Sequence, residues 1–189
     1  MACNTKLTND ILFSCTDLPI KGLDGGKAVI LNFTDIDKSS STTSGATITS
    51  LVSDAVGYSV EWYRELASTA TSYTPNADDY DGYSHSFLFR LPTTSADNAE
   101  RLNEFKNGLF VVVVETNYKG TDSGDAYKVY GWDSGMRLSE ASNASNENSG
   151  VLVTLATSEN SYENHPYMIF NEGSYSASTA SFTTAFDPS

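Results

Sequence analysis

The chain has 189 residues, which fits one domain, or at most one domain plus arms, with a core able to hide about 70% of the unfolded chain's surface. Hydrophobic residues make up 39% and aromatics 12%, so global disorder is excluded. Eleven basic residues against 24 acidic ones leave a formal charge of −13, which argues against wrapping a nucleic acid or docking on anionic lipid.

The longest apolar run, Leu109 to Val114, is too short to cross a bilayer. The opening stretch to Cys15 has one lysine and no long apolar segment before a small-residue cleavage site, so no signal peptide is expected. Cys3 and Cys15 are then expected to be reduced.

Ser and Thr form about a quarter of the chain, and Val, Ile, Tyr and Phe recur in short blocks. That mixture predicts strands separated by polar loops. Lys27 to Asp35 alternates, with Val29, Leu31 and Phe33 on one face and Ile30, Asn32 and Thr34 on the other. Ser39 to Gly45 is low in complexity and reads as a mobile loop, and Thr47 to Val52 as a weaker strand. Gly57 to Leu66 places Tyr58, Val60 and Trp62 on one face and Glu61, Tyr63 and Glu65 on the other. Ser68 to Ser84 reads as a long polar insert before a strand at His85 to Leu91.

One helix is predicted over Ala96 to Asn107. Thr94 and Asp97 have capping-box spacing, and Ala99, Leu102 and Phe105 form an apolar stripe. Asn107-Gly108 supplies a left-handed stop. The valines of Leu109 to Glu115 predict a strand covered on both faces. Further strands are expected at Tyr127 to Trp132, with Gly131 at a bulge or close approach, at Met136 to Ser139 and at Val151 to Thr157. The last thirty residues lack strong periodicity and read as edge strands, an arm, or both.

Signs of catalysis are weak. His85 and His165 have no nucleophile elbow, Cys/His signature or phosphate loop beside them. They read as ordinary surface or strand-end histidines. Asp78, Asp79 and Asp81 before Gly82 offer oxygen ligands without the spacing of a calcium loop, and a solvated loop is the better reading. Glu61 and Glu65 could stand at a glycosidase separation, but no cleft is indicated. No cofactor, metal or enzymatic activity is therefore expected. A sheet with one helix on it, long polar loops and Ser/Thr-rich arms suits a subunit of an assembly.

The segment HSFLFRLPTTSADNAERLNEFKNGLFVVVVETNYKG, followed by AYKVYGWDSGMRLSE, resembles virion structural proteins of tailed phages, notably those infecting Bacteroidetes. In plan it is similar to tail tube proteins, whose fold is shared with the haemolysin-coregulated tube protein. The likeness runs from His85 to Glu140. It implies a mainly β, tail-tube-like domain over residues 1–189: an antiparallel β-barrel or sandwich with one packed helix. Flexible loops would fall at 36–46 and 67–84, and a polar C-terminal arm would start at about residue 158.

Such subunits form rings, usually hexameric, that stack into a conduit for DNA ejection. The implied partners are other copies of the chain and tail proteins such as tape measure, terminator and baseplate. DNA would be passing cargo only, with no membrane partner, and the location would be the virion tail, assembled in the bacterial cytoplasm. Glu61, Tyr63 and Glu65 would line the lumen. Tyr73, Asp78, Asp79, Tyr80 and Asp81, or Ser39 to Gly45, would reach the next ring. Ala99, Leu102 and Phe105 would pack the helix on the sheet. Other readings are a neck, terminator or baseplate ring, the tube of a contractile injection system, a secreted carbohydrate-binding β-sandwich, and a small hydrolase.

Overall fold

The computed structural model describes residues 7–188, apart from 13, 16, 19, 63–65, 76–80, 92 and 144–149. The strands are β1 (Leu23–Asn32), β2 (Thr42–Ser44), β3 (Thr47–Ser50), β4 (Tyr58–Glu61), β5 (Ala67–Thr74) and β6 (Gly82–Leu91). After helix α1 (Ala96–Glu104) come β7 (Phe110–Thr116), β8 (Tyr127–Tyr130), β9 (Met136–Ser142), β10 (Val151–Thr157) and β11 (Met168–Phe170). Helix α2 (Tyr175–Thr183) follows.

The protein is mainly β. The strands run in the order β2-β3-β11-β8-β7-β9-β10-β6-β5, with β1 also on β7 and β4 on β1. The β11–β3 pair is parallel and the remaining pairs are antiparallel. Among the described residues the sheet does not close, so the architecture is an open sandwich and not a barrel.

Strand β7 explains the layering. Val111 and Val113 join Val29, Leu31, Ile48, Tyr127, Phe170 and the α2 residue Phe182 in one core. Val112 and Val114 join Ala28, Ile30, Phe87, Phe89, Val153 and Leu155 in the other. Successive side chains on a strand point to opposite faces, so a run of valines serves a sheet packed on both sides. The β1–β7 layer lies between α2 and the β9-β10-β6-β5 layer.

Several expectations are corrected. The insert expected over 67–84 holds a hairpin, with β5 paired to β6 from Ala67↔Phe89 to Thr74↔Gly82. None of the β5 residues is buried, so no hydrophobic alternation marks it as a strand. The Ser39–Gly45 loop is ordered by Asp37. Its carboxylate accepts from the N–H and hydroxyl of both Ser39 and Ser40 and is pulled down to about 2 by those bonds. The C-terminal arm is core: Met168, Ile169, Phe170, Phe182, Ala185 and Phe186 are buried.

Helix α1 is real, but its ends and stripe differ from expectation. Ser95, not Thr94, caps it, accepting the Asn98 N–H. It ends in a 3-10 turn, Phe105–Asn107, and Gly108 leaves with φ −78°, so there is no left-handed stop. Leu102 and Phe105 pack on the second core, whereas Ala99 faces solvent. Phe105 lies against Phe110 with ring centroids 5.0 Å apart and against Phe89 at 6.1 Å.

Candidate assembly surface

Strand β5 is bonded to β6 on one side and β4 to β1 on one side, and β2 ends the path at its other extreme. Unpaired edges present rows of backbone N–H and C=O groups, which a second chain can satisfy. Two of the predicted residues, Glu61 and Tyr73, lie on these edges, whereas Asp81 precedes β6. Glu61 ends β4 and is exposed. Tyr73, on β5, donates its hydroxyl to the Asp81 carboxylate at 2.7 Å, which raises the phenol above its ordinary value. Tyr63, Glu65, Asp78, Asp79 and Tyr80 lie outside the described residues.

A groove of about 650 Å³ opens where the β1–β4 layer meets β6 and α1. Ile30, Val60, Phe89, Leu91, Phe105 and Phe110 give it an apolar floor, and Tyr58, Glu61, Asn98, Arg101 and Glu104 give it a mixed rim. Arg101 and Glu104 pair on the rim at 2.8 Å, both largely exposed. Tyr58 is 62% exposed on the β4 edge. The structure thus brings Glu61 of the expected lumen set together with Leu102's neighbour Phe105 at one site.

The segment before β1 has no helix or strand among its described residues. Leu7, Ile11, Leu12, Leu18 and Ile20 on it are between 52% and 88% exposed. Its base is moored at the Leu23 end of β1. The Tyr118 hydroxyl donates to Asp17 at 2.9 Å, and the Asn117 side chain donates to the Lys21 carbonyl at 3.0 Å. The one sequence signal for these side chains is an apolar cluster, Ile11-Leu12, in an otherwise polar stretch.

A buried polar junction also escaped the sequence. His85 is in the interior of β6 and not at a strand end, and only 1% of it is exposed. Its Nδ1 accepts the Gly131 N–H at 3.0 Å and its Nε2 meets the His165 carbonyl at 3.0 Å. Nδ1 must accept, so the proton sits on Nε2 and the ring is neutral. Burial depresses its pKa below the ordinary 6.5, against the opposing pull of Glu163. Glu163, 2% exposed, accepts from the Asp133 N–H and from the N–H and hydroxyl of Ser134.

Asp133 in return accepts from Asn164, and Lys38 donates to the Asp133 carbonyl at 3.1 Å. Every polar arm of His85 and of the Glu163 carboxylate is thus spent on backbone and Ser134, which is the chemistry of a clasp. Among the described residues the hydrogen-bond partners of the His85 ring are both backbone groups, the Gly131 N–H and the His165 carbonyl.

Among the described residues no group of three His, Cys, Asp or Glu side chains could hold a metal ion. Cys15 is exposed and free of any disulfide. No described helix is long and apolar enough to cross a membrane. Neither a family model, nor a curated protein, nor a solved structure matches this chain.

Proposed function

We propose that this chain is a structural virion protein that self-assembles into stacked rings, forming a phage tail tube that conducts DNA. The observation that carries the reading is the open sandwich: among the described residues β2, β4 and β5 are each bonded on one side. Pairing of such edges between copies completes hydrogen-bonded ladders and turns an edge that invites uncontrolled aggregation into a specific joint.

The charge supports the same reading. A net charge of −13 repels phosphate, so a duplex meets no tight site in a bore lined by such subunits. The buried His85 and Glu163 position the β8–β9 turn, a structural role that suits such a subunit. The resemblance of His85 to Glu140 to tube proteins points the same way.

Negative-stain imaging of the purified protein, with its mass in solution, tests the proposal. Rings and stacked tubes are the expected result. A monomer at all concentrations overturns it, and a single ring that never stacks moves the chain to a neck, terminator or baseplate position.

A further inference from the structure

The turn between β8 and β9 belongs to both cores. Trp132 is buried in the first, and Tyr130 and Met136, on either side of it, are buried in the second. One buried ring holds the middle of this turn, and its hold depends on where a proton sits. His85 Nδ1 accepts the Gly131 N–H at 3.0 Å, which it can do only while it carries no proton. A proton there sets two N–H groups face to face and leaves a buried donor without a partner. The other nitrogen offers no relief. Nε2 faces the His165 carbonyl at 3.0 Å, so moving its proton to Nδ1 sets a lone pair against an oxygen.

The charged groups around the ring are part of the same clasp. Glu163, from the loop before β11, and Asp133, on the turn itself, are the carboxylates that act on the imidazole. Tyr130 of β8 meets it edge on, with ring centroids 5.3 Å apart. Lys38, from the segment before β2, is drawn to both carboxylates and donates to the Asp133 carbonyl. Glu163 is engaged with the N–H groups of Asp133 and Ser134 and with the Ser134 hydroxyl. A charged ring therefore competes with the turn for the carboxylate that holds it.

We propose that the His85–Glu163 clasp is a proton-operated switch: one proton taken from solvent by His85 Nδ1 breaks the bond to Gly131 and releases residues 131–135, while the β1–β7 layer stays folded. The inference does not depend on the self-assembly reading. His85 is 1% exposed, so the proton reaches the ring when the turn has opened, and acid then holds it open. Burial keeps the pKa of the closed ring below the ordinary 6.5, so the open form takes the proton first.

Hydrogen exchange of the full chain from pH 8 to pH 5, read as protection relative to the free-peptide rate at each pH, tests the switch. The amides of residues 131–135 should lose protection by up to about tenfold for each pH unit below 6.5, whereas the four valines of β7 should keep theirs. His85→Gln offers a carbonyl oxygen to Gly131 and an N–H to the His165 carbonyl but takes no proton, so its turn should keep the same protection throughout. A second readout needs no change in the clasp side chains. In His165→Gln labelled with 15N-histidine, the His85 Nδ1 resonance should move to its protonated position over the pH range in which the turn opens. Turn protection that ignores pH, that falls together with the valine ladder, or that falls equally in His85→Gln overturns the switch. So does an Nδ1 that stays unprotonated while the turn opens.

Discussion

His85 and Glu163 hold one tight turn from two sides: the His85 Nδ1 accepts the Gly131 N–H at 3.0 Å, and Glu163 accepts the N–H groups of Asp133 at 2.7 Å and Ser134 at 2.9 Å. The turn carries the chain from β8 to β9, from one layer of the sandwich to the other. The two side chains come from β6 and from the loop before β11, so the clasp joins parts of the sequence that are far apart. A second backbone bridge, Tyr83↔Glu163, keeps the loop against the β6 end of the second layer.

The neutral state of His85 makes stability depend on pH with a definite sign. Its folded pKa lies below the ordinary 6.5 because burial penalises the cation, while Glu163 and Asp133 nearby pull the other way. Below about 6.5 the unfolded chain takes the proton first, so stability is full above that pH and is lost as pH falls through the folded value. Each unit of depression is worth about 1.4 kcal/mol. Urea unfolding of the wild type and of His85→Gln from pH 8 to pH 5 should show the wild type's advantage shrinking on acidification. An advantage that grows would mean that the cation is the favoured form.

Glu163→Gln keeps the shape of the side chain and turns two of its acceptor positions into donors. The amide N–H₂ group then faces the backbone N–H of Asp133 or Ser134, leaving a buried donor unpaired. The expected loss is about 1–3 kcal/mol. It reads as a lower urea midpoint with an unchanged slope, and a midpoint equal to the wild type's would contradict the clasp.

Gly131 is the point at which this turn cannot accept a side chain. Its φ is +80°, and a Cβ there would lie 2.9 Å from the Phe110 carbonyl oxygen and 3.1 Å from Met136. Gly131→Ala should therefore cost more than the ~1 kcal/mol of an ordinary left-handed alanine. Thermal denaturation against Gly45→Ala gives the comparison, since Gly45 is also left-handed and has open space around it.

Much of the architecture was legible wherever burial is strongly one-sided or two-sided. The Phe87–Phe89–Leu91 alternation, the four valines of β7 and the split of Val29 and Leu31 from Ile30 each map onto one core or the other. Strand β5 was not legible, because its half-buried face is made of Ala67, Thr69 and Thr71, with the threonine hydroxyls bonded to Tyr130 and the Pro166 carbonyl, so small and polar residues stand where large apolar ones would mark a strand. Helix α2 was not legible either. Its buried residues are Ser178 and Phe182, and its polar members bond locally, as Ser178 does to the Ser174 carbonyl and Thr179 to that of Tyr175. The groove is equally hidden in the sequence, since its floor is made of residues that look like ordinary core.

Helix α1 should respond unevenly to substitution along the stripe that periodicity assigns to it. Leu102 is half-buried against the second core and Ala99 is exposed. Leu102→Ala should cost about 1–2 kcal/mol of the transfer free energy of its side chain. Ala99→Ser should stay within about 0.5 kcal/mol of the wild type. Equal losses at both positions would mean that the helix lies on the sheet with a different face.

The open edge of β5 makes the last prediction one about assembly and not stability. Ala70 and Ser72 are exposed, share a face and pair with Ser86 and Ser84 of β6. Lysines at both positions leave those pairs intact, so the urea midpoint should move by less than about 0.5 kcal/mol. A lysine-bearing edge, however, resists docking of a second strand, because two cations must lose water as the ladder closes. The doubly substituted chain should therefore fold normally and give shorter or fewer assemblies by sedimentation and negative-stain imaging. Assemblies of unchanged length would show that β5 is not the strand through which copies pair, leaving that role to β2 or β4.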